Sequence, residues 1–335
     1  MNKVIGREKA KEILNLKYPS IYKLLSYAVS NYRGYILYNK LNGKFGKNHT
    51  LFLCPHKATG DVYIFGLYFP EYIKQNKINE YIFCVVGKGD AKVAKMYNIV
   101  NVVPITQREM DDLVRFSLFV GRKLTNIKIL HYRAISMHMG IVDNMRNYKS
   151  LNFNDMLLYI VFKLDQKAIK ERPLFGADDD YVNKFFEERN LKKHNTIILS
   201  PYSNSIPCIS SDFWGMLAER LTLEGYNVCT NSIGSNEPVI PGTTAIFFSY
   251  EQSKEFLEYA GYFVGIRSGL CDIISSFKCK KIIINQPGIK FGVGNSMEYF
   301  SLRDMGLDEE AVELEYDDTF RDRIVDFIVE EIQSN

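Results

Sequence analysis

Residues 261–285, GYFVGIRSGLCDIISSFKCKKIIIN, narrow the folds open to this chain more than any other stretch. Residues 262–266 are apolar apart from Tyr262 and Gly265, as a strand buried on both faces requires. Arg267, Ser268 and Gly269 then force a sharp turn, a short helix follows over 270–277, and 280–285 returns as a second buried strand. Strand, helix and strand in this order form a βαβ unit. It sets free backbone N–H groups at a helix N-terminus beside a cation, a favourable place for a phosphate. The turn also falls at the C-terminal end of a buried strand, where open α/β sheets bind ligands. The competing reading is an ordinary βα turn whose Arg267 is solvated.

At 335 residues the chain has room for two domains, and an apolar content of 46% is ample for their cores. A net charge of +3 does not point to nucleic acid, and no such partner is expected. The charge is uneven: residues 1–50 are rich in Lys and Arg, and the last 30 residues are strongly acidic. A basic N-terminal face suits anionic lipid or an anionic substrate; a solvated face without a partner explains it equally well.

Cys54, Cys84, Cys208, Cys229, Cys271 and Cys279 form no CxxC pair and sit mostly in apolar strand-like runs. They read as reduced, buried thiols of a cytoplasmic protein. The His and Cys spacing suggests no metal cluster, so neither metal nor other cofactor is expected. No apolar run approaches the roughly 20 residues of a membrane span. The N-terminus, MNKVIGREKAKEIL, reads as a charged helix without a signal peptide's apolar stretch. The expected location is cytoplasmic, with peripheral contact at the inner membrane surface left open.

Residues 7–32 have helical spacing interrupted at Pro19. Residues 51–55 form the first strong strand and run into His56-Lys57-Ala58-Thr59-Gly60-Asp61, then a helix over 62–75. Strands at 82–86, 100–104 and 128–131 follow, separated by helices near 91–97 and 107–120. A charged break from Asp178 to His194 carries a helix and no strand. Beyond it lie strands at 196–200, 227–230 and 245–248 and helices at 213–224 and 253–259, ahead of the 261–285 unit. A closing amphipathic helix covers 320–332. Alternation of this kind means α/β architecture with parallel, doubly wound sheets. The expected division is 1–177, a linker at 178–194, a second domain at 195–318 and a C-terminal helix at 319–335.

Three turns carry the chemistry. In the first, Gly60 permits a tight turn and Asp61 opens a helix, either as a functional carboxylate or merely as its N-cap. In the second domain, Tyr202, Ser203, Asn204 and Ser205 form a polar loop on the same sheet edge as Arg267, Ser268 and Gly269.

Two Rossmann-like domains facing a cleft make the GT-B architecture, and the order of motifs resembles the bacterial heptosyltransferase family. The family's Gly-Asp-Val turn is matched by Gly60-Asp61-Val62, with Pro70 in the next helix. Its Pro/Gly/Ser phosphate loop is matched by Ser200-Pro201-Tyr202-Ser203, and its Trp, Leu and Ala helix by Phe213-Trp214 and Leu217-Ala218. Gly225 to Val228 matches a Gly-x-x-Val strand; Lys254-Glu255-Phe256-Leu257 and then Gly265-Ile266-Arg267-Ser268-Gly269 match the closing motifs. These short motifs span most of residues 50–290. Two departures stand out: Arg267 replaces the family's Asp before Ser-Gly, and Cys271-Asp272 replaces its His, so the donor is expected to differ from ADP-heptose. An Arg here is also similar to the phosphate-binding Arg of fucosyltransferase-like GT-B proteins.

The resemblance implies a metal-independent glycosyltransferase of surface-glycan synthesis (capsule, O-antigen or lipooligosaccharide). It would take a nucleotide-sugar donor and a glycan or lipid-linked glycan acceptor. Asp61 would be the general base on the acceptor hydroxyl. Ser203, Asn204, Arg267, Ser268 and Gly269 would neutralise the diphosphate. Tyr202 and Glu255 would meet the nucleoside, although a solvated helix Glu is the simpler reading of Glu255. His56, Lys57, His131 and His138 would line the acceptor side, against the plain alternative of packed histidines. Two other readings stay open: an enzyme similar to nucleotide-sugar 2-epimerases on this fold, and a non-catalytic GT-B subunit.

Overall fold

The computed structural model describes residues 15–46, 48–56, 58–121, 126–131, 152–176, 178–204, 206–287 and 296–334. Two parallel sheets organise them. In the first, β1 (Thr50–Leu53), β2 (Tyr81–Val86), β3 (Val102–Ile105) and β4 (Ile127–Ile129) stand in the order β3-β2-β1-β4. The second holds β5 (Thr196–Ser200), β6 (Asn227–Asn231), β7 (Thr244–Ile246), β8 (Gly261–Ile266), β9 (Lys280–Asn285) and β10 (Val312–Glu315). Their order is β7-β6-β5-β8-β9-β10, all parallel. Counted from β5 this is 3-2-1-4-5-6, the Rossmann winding. Among the described residues the first sheet repeats it without the last two strands. The expected fold class, two Rossmann-like doubly wound α/β domains, is what the chain adopts.

Strand alternation decides which layer each side chain enters. Leu51 and Leu53 face a core completed by α1 (Pro19–Phe45) and α4 (Gln107–Val120), while Phe52 between them faces the other way. In the second sheet Ile197, Leu199, Val264 and Ile266 pack under α6 (Ser211–Leu223) and α10 (Arg321–Gln333). Ile198 and Phe263 turn to the other face, into the apolar cluster that also holds Phe256 and Leu257. The inner layers merge into one apolar cluster, so the two sheets share a core. Phe153 meets Phe300 at 5.5 Å with tilted rings, and Phe175 meets Phe277 edge to face at 4.8 Å, across this junction.

Further helices include α2 (Thr59–Gln75), α3 (Gly87–Lys95), α5 (Asp179–Glu188), α7 (Ser253–Ala260), α8 (Gly269–Ile273) and α9 (Ser296–Phe300). Residues 15–17 are helical, the helix breaks at Tyr18 and α1 opens at Pro19, so the interruption read at Pro19 is present; Pro suits the first helical position, which has no N–H bond to lose. Residues 1–14 lie outside the described set. Several elements depart from the sequence reading. Helix α2 begins at Thr59, earlier than expected, so Asp61 falls inside its first turn. The acidic run opening the linker is exposed and also starts a helix. Asp178 caps α5 by accepting from the Tyr181 N–H at 3.1 Å, and Asp179 and Asp180 lie in the first turn, where the helix dipole favours negative charge. Strand β10 and helix α9 were not anticipated. Cys208 is exposed and Cys279 half-buried, whereas the other four cysteines are buried as expected.

Helices α1 and α4 cross at Gly34. A Cβ there would lie 2.2 Å from the Asp112 carbonyl oxygen and 2.6 Å from the Phe116 Cβ. The Ser30 hydroxyl donates to Asp112, and Arg33 lies 3.8 Å from the same carboxylate. Gly34→Val should therefore lower stability by about 1–3 kcal/mol through overpacking, although Val is the better helix former. An unchanged midpoint in urea denaturation would show that this crossing does not hold α1.

Candidate functional site

Strand order reverses between β1 and β4 in one sheet and between β5 and β8 in the other. Doubly wound sheets bind ligands at the carboxyl ends of strands flanking such a reversal. The segments there are 54–61 and 130–131 in the first half, and 201–210 and 267–272 in the second.

In the first half the reversal brings His56, after β1, onto His131, after β4, stacked at 4.6 Å. His56 is buried against Phe65 and Phe153. Its Nδ1 lies 2.9 Å from Asp61 Oδ2, and its Nε2 has no hydrogen-bond partner among the described residues. With its proton on Nδ1, His56 donates to Asp61 and leaves Nε2 as a bare acceptor. The N-cap of α2 is Ala58, which offers no side-chain cap. Asp61 is therefore not an N-cap; its carboxylate is held by His56 and remains 27% exposed.

Asp90 joins this group and was passed over in the sequence reading, where it closes the Gly87-Lys88-Gly89-Asp90 turn after β2. It is buried, and Oδ2 has no hydrogen-bond partner among the described residues. Burial, and next the negative charge of Asp61, push its carboxyl up to about 7. The available signal was position: an Asp at the carboxyl end of the strand next to β1.

In the second half Arg267 is neither solvated nor free to clamp a phosphate. It is buried, with Nη2 2.5 Å and Nη1 3.2 Å from the two Asp272 oxygens. Nη1 also donates to the Ser268 carbonyl at 2.6 Å, and Nε to the Phe300 carbonyl at 2.7 Å. Four of its five N–H groups are so engaged. The expected direct diphosphate contact gives way to a structural task, because a buried guanidinium must be paired where it lies. Burial raises the Asp272 carboxyl to about 6 against the pull of Arg267.

Ser200 and Gly265 are paired neighbours, so residues 201–204 and 267–269 leave the sheet side by side. Tyr202 donates its hydroxyl to the Pro238 carbonyl. Ser203 Oγ accepts from the Ile206 N–H at 3.4 Å, and Asn204 is exposed. Glu255 is half-buried, and its Oε2 is buried without a hydrogen-bond partner among the described residues. Burial raises its carboxyl above the ordinary value, which contradicts the solvated-helix reading. Lys57, His138 and Ser205 lie outside the described residues.

The Gly-Asp turn and the Arg-Ser-Gly turn meet directly. A Cβ on Gly60 would lie 2.6 Å from Gly269 Cα and 2.2 Å from Asp272 Oδ2; one on Gly269 would lie 2.7 Å from the Gly60 nitrogen. Beside them the Thr59 and Tyr250 hydroxyls are 3.2 Å apart. Among the described residues no group of three or more His, Cys, Asp or Glu side chains is arranged to hold a metal ion. A depression of about 710 Å³ opens at the opposite sheet edge, lined by Gly261 and Lys280 at the amino ends of β8 and β9. That edge is not where a doubly wound sheet binds its ligand.

No protein-family model matches the chain, and no curated protein matches it by sequence. Solved structures do. The Escherichia coli ADP-heptose LPS heptosyltransferase II superposes with a TM-score of 0.54 at 11% identity, over 85% of this chain and 98% of its own. A glycosyl transferase family 9 protein from Veillonella parvula gives 0.54 at 11% identity, over 86% and 98%. An E. coli heptosyltransferase solved with ADP gives 0.51 at 11% identity, over 84% and 99%. The chain thus has the two-domain fold of the heptosyltransferases, the GT-B architecture.

Two predictions follow from the buried charges. Arg267→Ala should cost about 3–5 kcal/mol of stability by stranding Asp272, whereas Arg267→Met with Asp272→Leu should cost less than either single change. A double variant as unstable as the sum of the singles would show that the pair is not coupled. For Asp90, the folded carboxyl keeps its proton up to about pH 7, while the unfolded chain releases it near about 4. Its contribution to stability is therefore full below that window and falls as pH rises through it. The stability of Asp90→Asn relative to the natural protein should grow between those limits and level off above them. A constant difference across pH would show that Asp90 is ionised in the fold.

Proposed function

We propose that the protein is a glycosyltransferase that moves a sugar from a nucleotide-sugar donor to an acceptor hydroxyl of a surface glycan. It does so without a divalent metal. One observation carries this reading: Gly60-Asp61, at the mouth of the first Rossmann sheet, is seated against Ser268-Gly269 at the mouth of the second. The shared fold of two heptosyltransferases, one solved with ADP, supports a nucleoside diphosphate at this place.

In this reading Asp61 takes the proton of the acceptor hydroxyl. The freed oxygen bonds to the anomeric carbon as the bond to the diphosphate breaks, and the nucleoside diphosphate leaves. His56 holds the Asp61 carboxylate in place through Nδ1. Hydroxyl and backbone donors at Ser203, Asn204, Ser268 and Gly269 meet the diphosphate. Arg267 acts behind them by fixing the turn. Glu255, with its unpartnered oxygen, accepts from ribose hydroxyls, and Tyr202 lies on the nucleoside side. The acceptor is a glycan carried on a lipid, met at the inner membrane surface.

A second reading has an observation of its own. An epimerase-like enzyme needs several carboxylates and a His around its cleft, and Asp90 and Asp272 lie near Asp61, with His131 against His56. Such an enzyme would convert a nucleotide sugar to its epimer without an acceptor.

A thermal-shift screen with UDP, GDP, ADP, dTDP and CMP identifies the nucleotide: a ligand at 100 times its dissociation constant stabilises by about 2.7 kcal/mol. With the matching donor sugar and a glycan acceptor, Asp61→Asn should lower transfer by about 10²–10⁴ and leave nucleotide affinity unchanged. Transfer should persist in EDTA. An Asp61→Asn protein of undiminished rate would remove Asp61 from the chemistry. A new epimer formed without acceptor would favour the second reading, and nucleotide binding without turnover would favour a non-catalytic subunit.

A further inference from the structure

Helix α1 is apolar on two opposite faces. One face packs on α4 and buries Gly34 and Leu41. The other carries Ile21, Leu24, Leu25, Tyr32, Tyr35 and Ile36, each between 49% and 69% exposed. Their spacing confines them to a stripe about 120° wide. At 27 residues the helix is about 40 Å long, and residues 19–29 are exposed throughout except for Tyr22. An apolar stripe of this length is not the scatter of single residues found on ordinary surfaces.

The charge around the stripe selects what covers it. Residues 13–60 contain seven Lys and Arg and no Asp or Glu. Arg33, Lys40 and Lys44 follow one another at i, i+7 and i+11, so they line one flank of the stripe. Laying a second copy of α1 against the stripe would oppose two basic flanks with no carboxylate on either helix, and like charges repel. A bilayer with anionic headgroups satisfies both features at once: its acyl boundary takes the aliphatic side chains and its surface takes the cations. Tyrosines suit the boundary, with an apolar ring and a polar tip. No helix among the described residues is long and apolar enough to cross a membrane.

We infer that α1 is a membrane-docking helix that lies in the plane of an anionic bilayer on its Ile21–Ile36 face. The inference rests on the proposed transferase reading only for what the bilayer carries, a lipid-linked acceptor.

The test is flotation of the full-length protein with phosphatidylcholine vesicles with or without phosphatidylglycerol. The protein should float with the anionic vesicles and be released by salt. Leu24→Glu with Leu25→Glu, both at exposed positions, should lower partitioning by about tenfold or more. Lys40→Gln and Lys44→Gln should each lower it about fivefold. All these variants should keep the urea-denaturation midpoint of the natural protein, which shows that they fold. Equal partitioning of the natural and Leu24→Glu, Leu25→Glu proteins would overturn the inference. So would a dimer, seen by light scattering, that this double variant abolishes while neither protein binds vesicles. Transfer to a soluble acceptor is read separately, so a failed flotation and a failed transferase reading are told apart.

Discussion

The contact between Gly60 and Gly269 is the constraint around which the rest is arranged. Each Rossmann sheet presents its strand ends as a mouth. Two mouths come together only if backbone touches backbone, and a Cβ on either residue would intrude. Behind Gly269 stands the Arg267–Asp272 pair, whose carboxylate occupies the space a Gly60 side chain would need. The two glycines and the ion pair therefore behave as one part. The pair stiffens the second turn from inside, and the glycines let the first turn rest on it. A buried ion pair is poor evidence of net stability; here its evident product is position.

Three carboxylates converge near this contact, and each is managed differently. Asp272 is paired with Arg267. Asp61 is held by His56 and keeps some access to water. Asp90 is buried, with one oxygen unpartnered among the described residues, and is pushed toward its neutral form. Environments that drive like groups apart in this way assign them separate tasks. The one nearest solvent, Asp61, is the one on the helix turn that meets the other domain.

Much of the fold could be read from the sequence because its strands are buried runs between helices, and burial on both faces leaves an unbroken apolar signature. The turns at Gly60-Asp61 and at Arg267-Ser268-Gly269 stood out for the same reason, as polar breaks at strand ends. What the sequence did not carry was partnership. Asp272 lies five residues beyond Arg267, a separation that means nothing until a tight turn folds it back. Asp90 gives no local sign of burial, since the side chains that enclose it come from other elements. The start of α2 was misplaced because Ala58 provides no capping side chain, and Asp61 offered a more familiar boundary. Strand β10, VELE, was missed because an alternating charged edge strand looks like a solvated loop.

The common apolar layer between the sheets bears on how the halves can move. Phe153 and Phe300, and Phe175 and Phe277, join across that layer, and the Asn152 amide donates to the Asp304 carbonyl at 2.7 Å nearby. Swinging the domains apart like jaws would wet aromatic surface along this seam. Sliding one face over the other keeps the surface covered and asks only for small side-chain adjustments. The molecule is thus built for shear rather than for a wide hinge. Each half keeps an outer core of its own, but the inner layer of each is completed by the other, so a fragment cut at the seam would expose that layer to water.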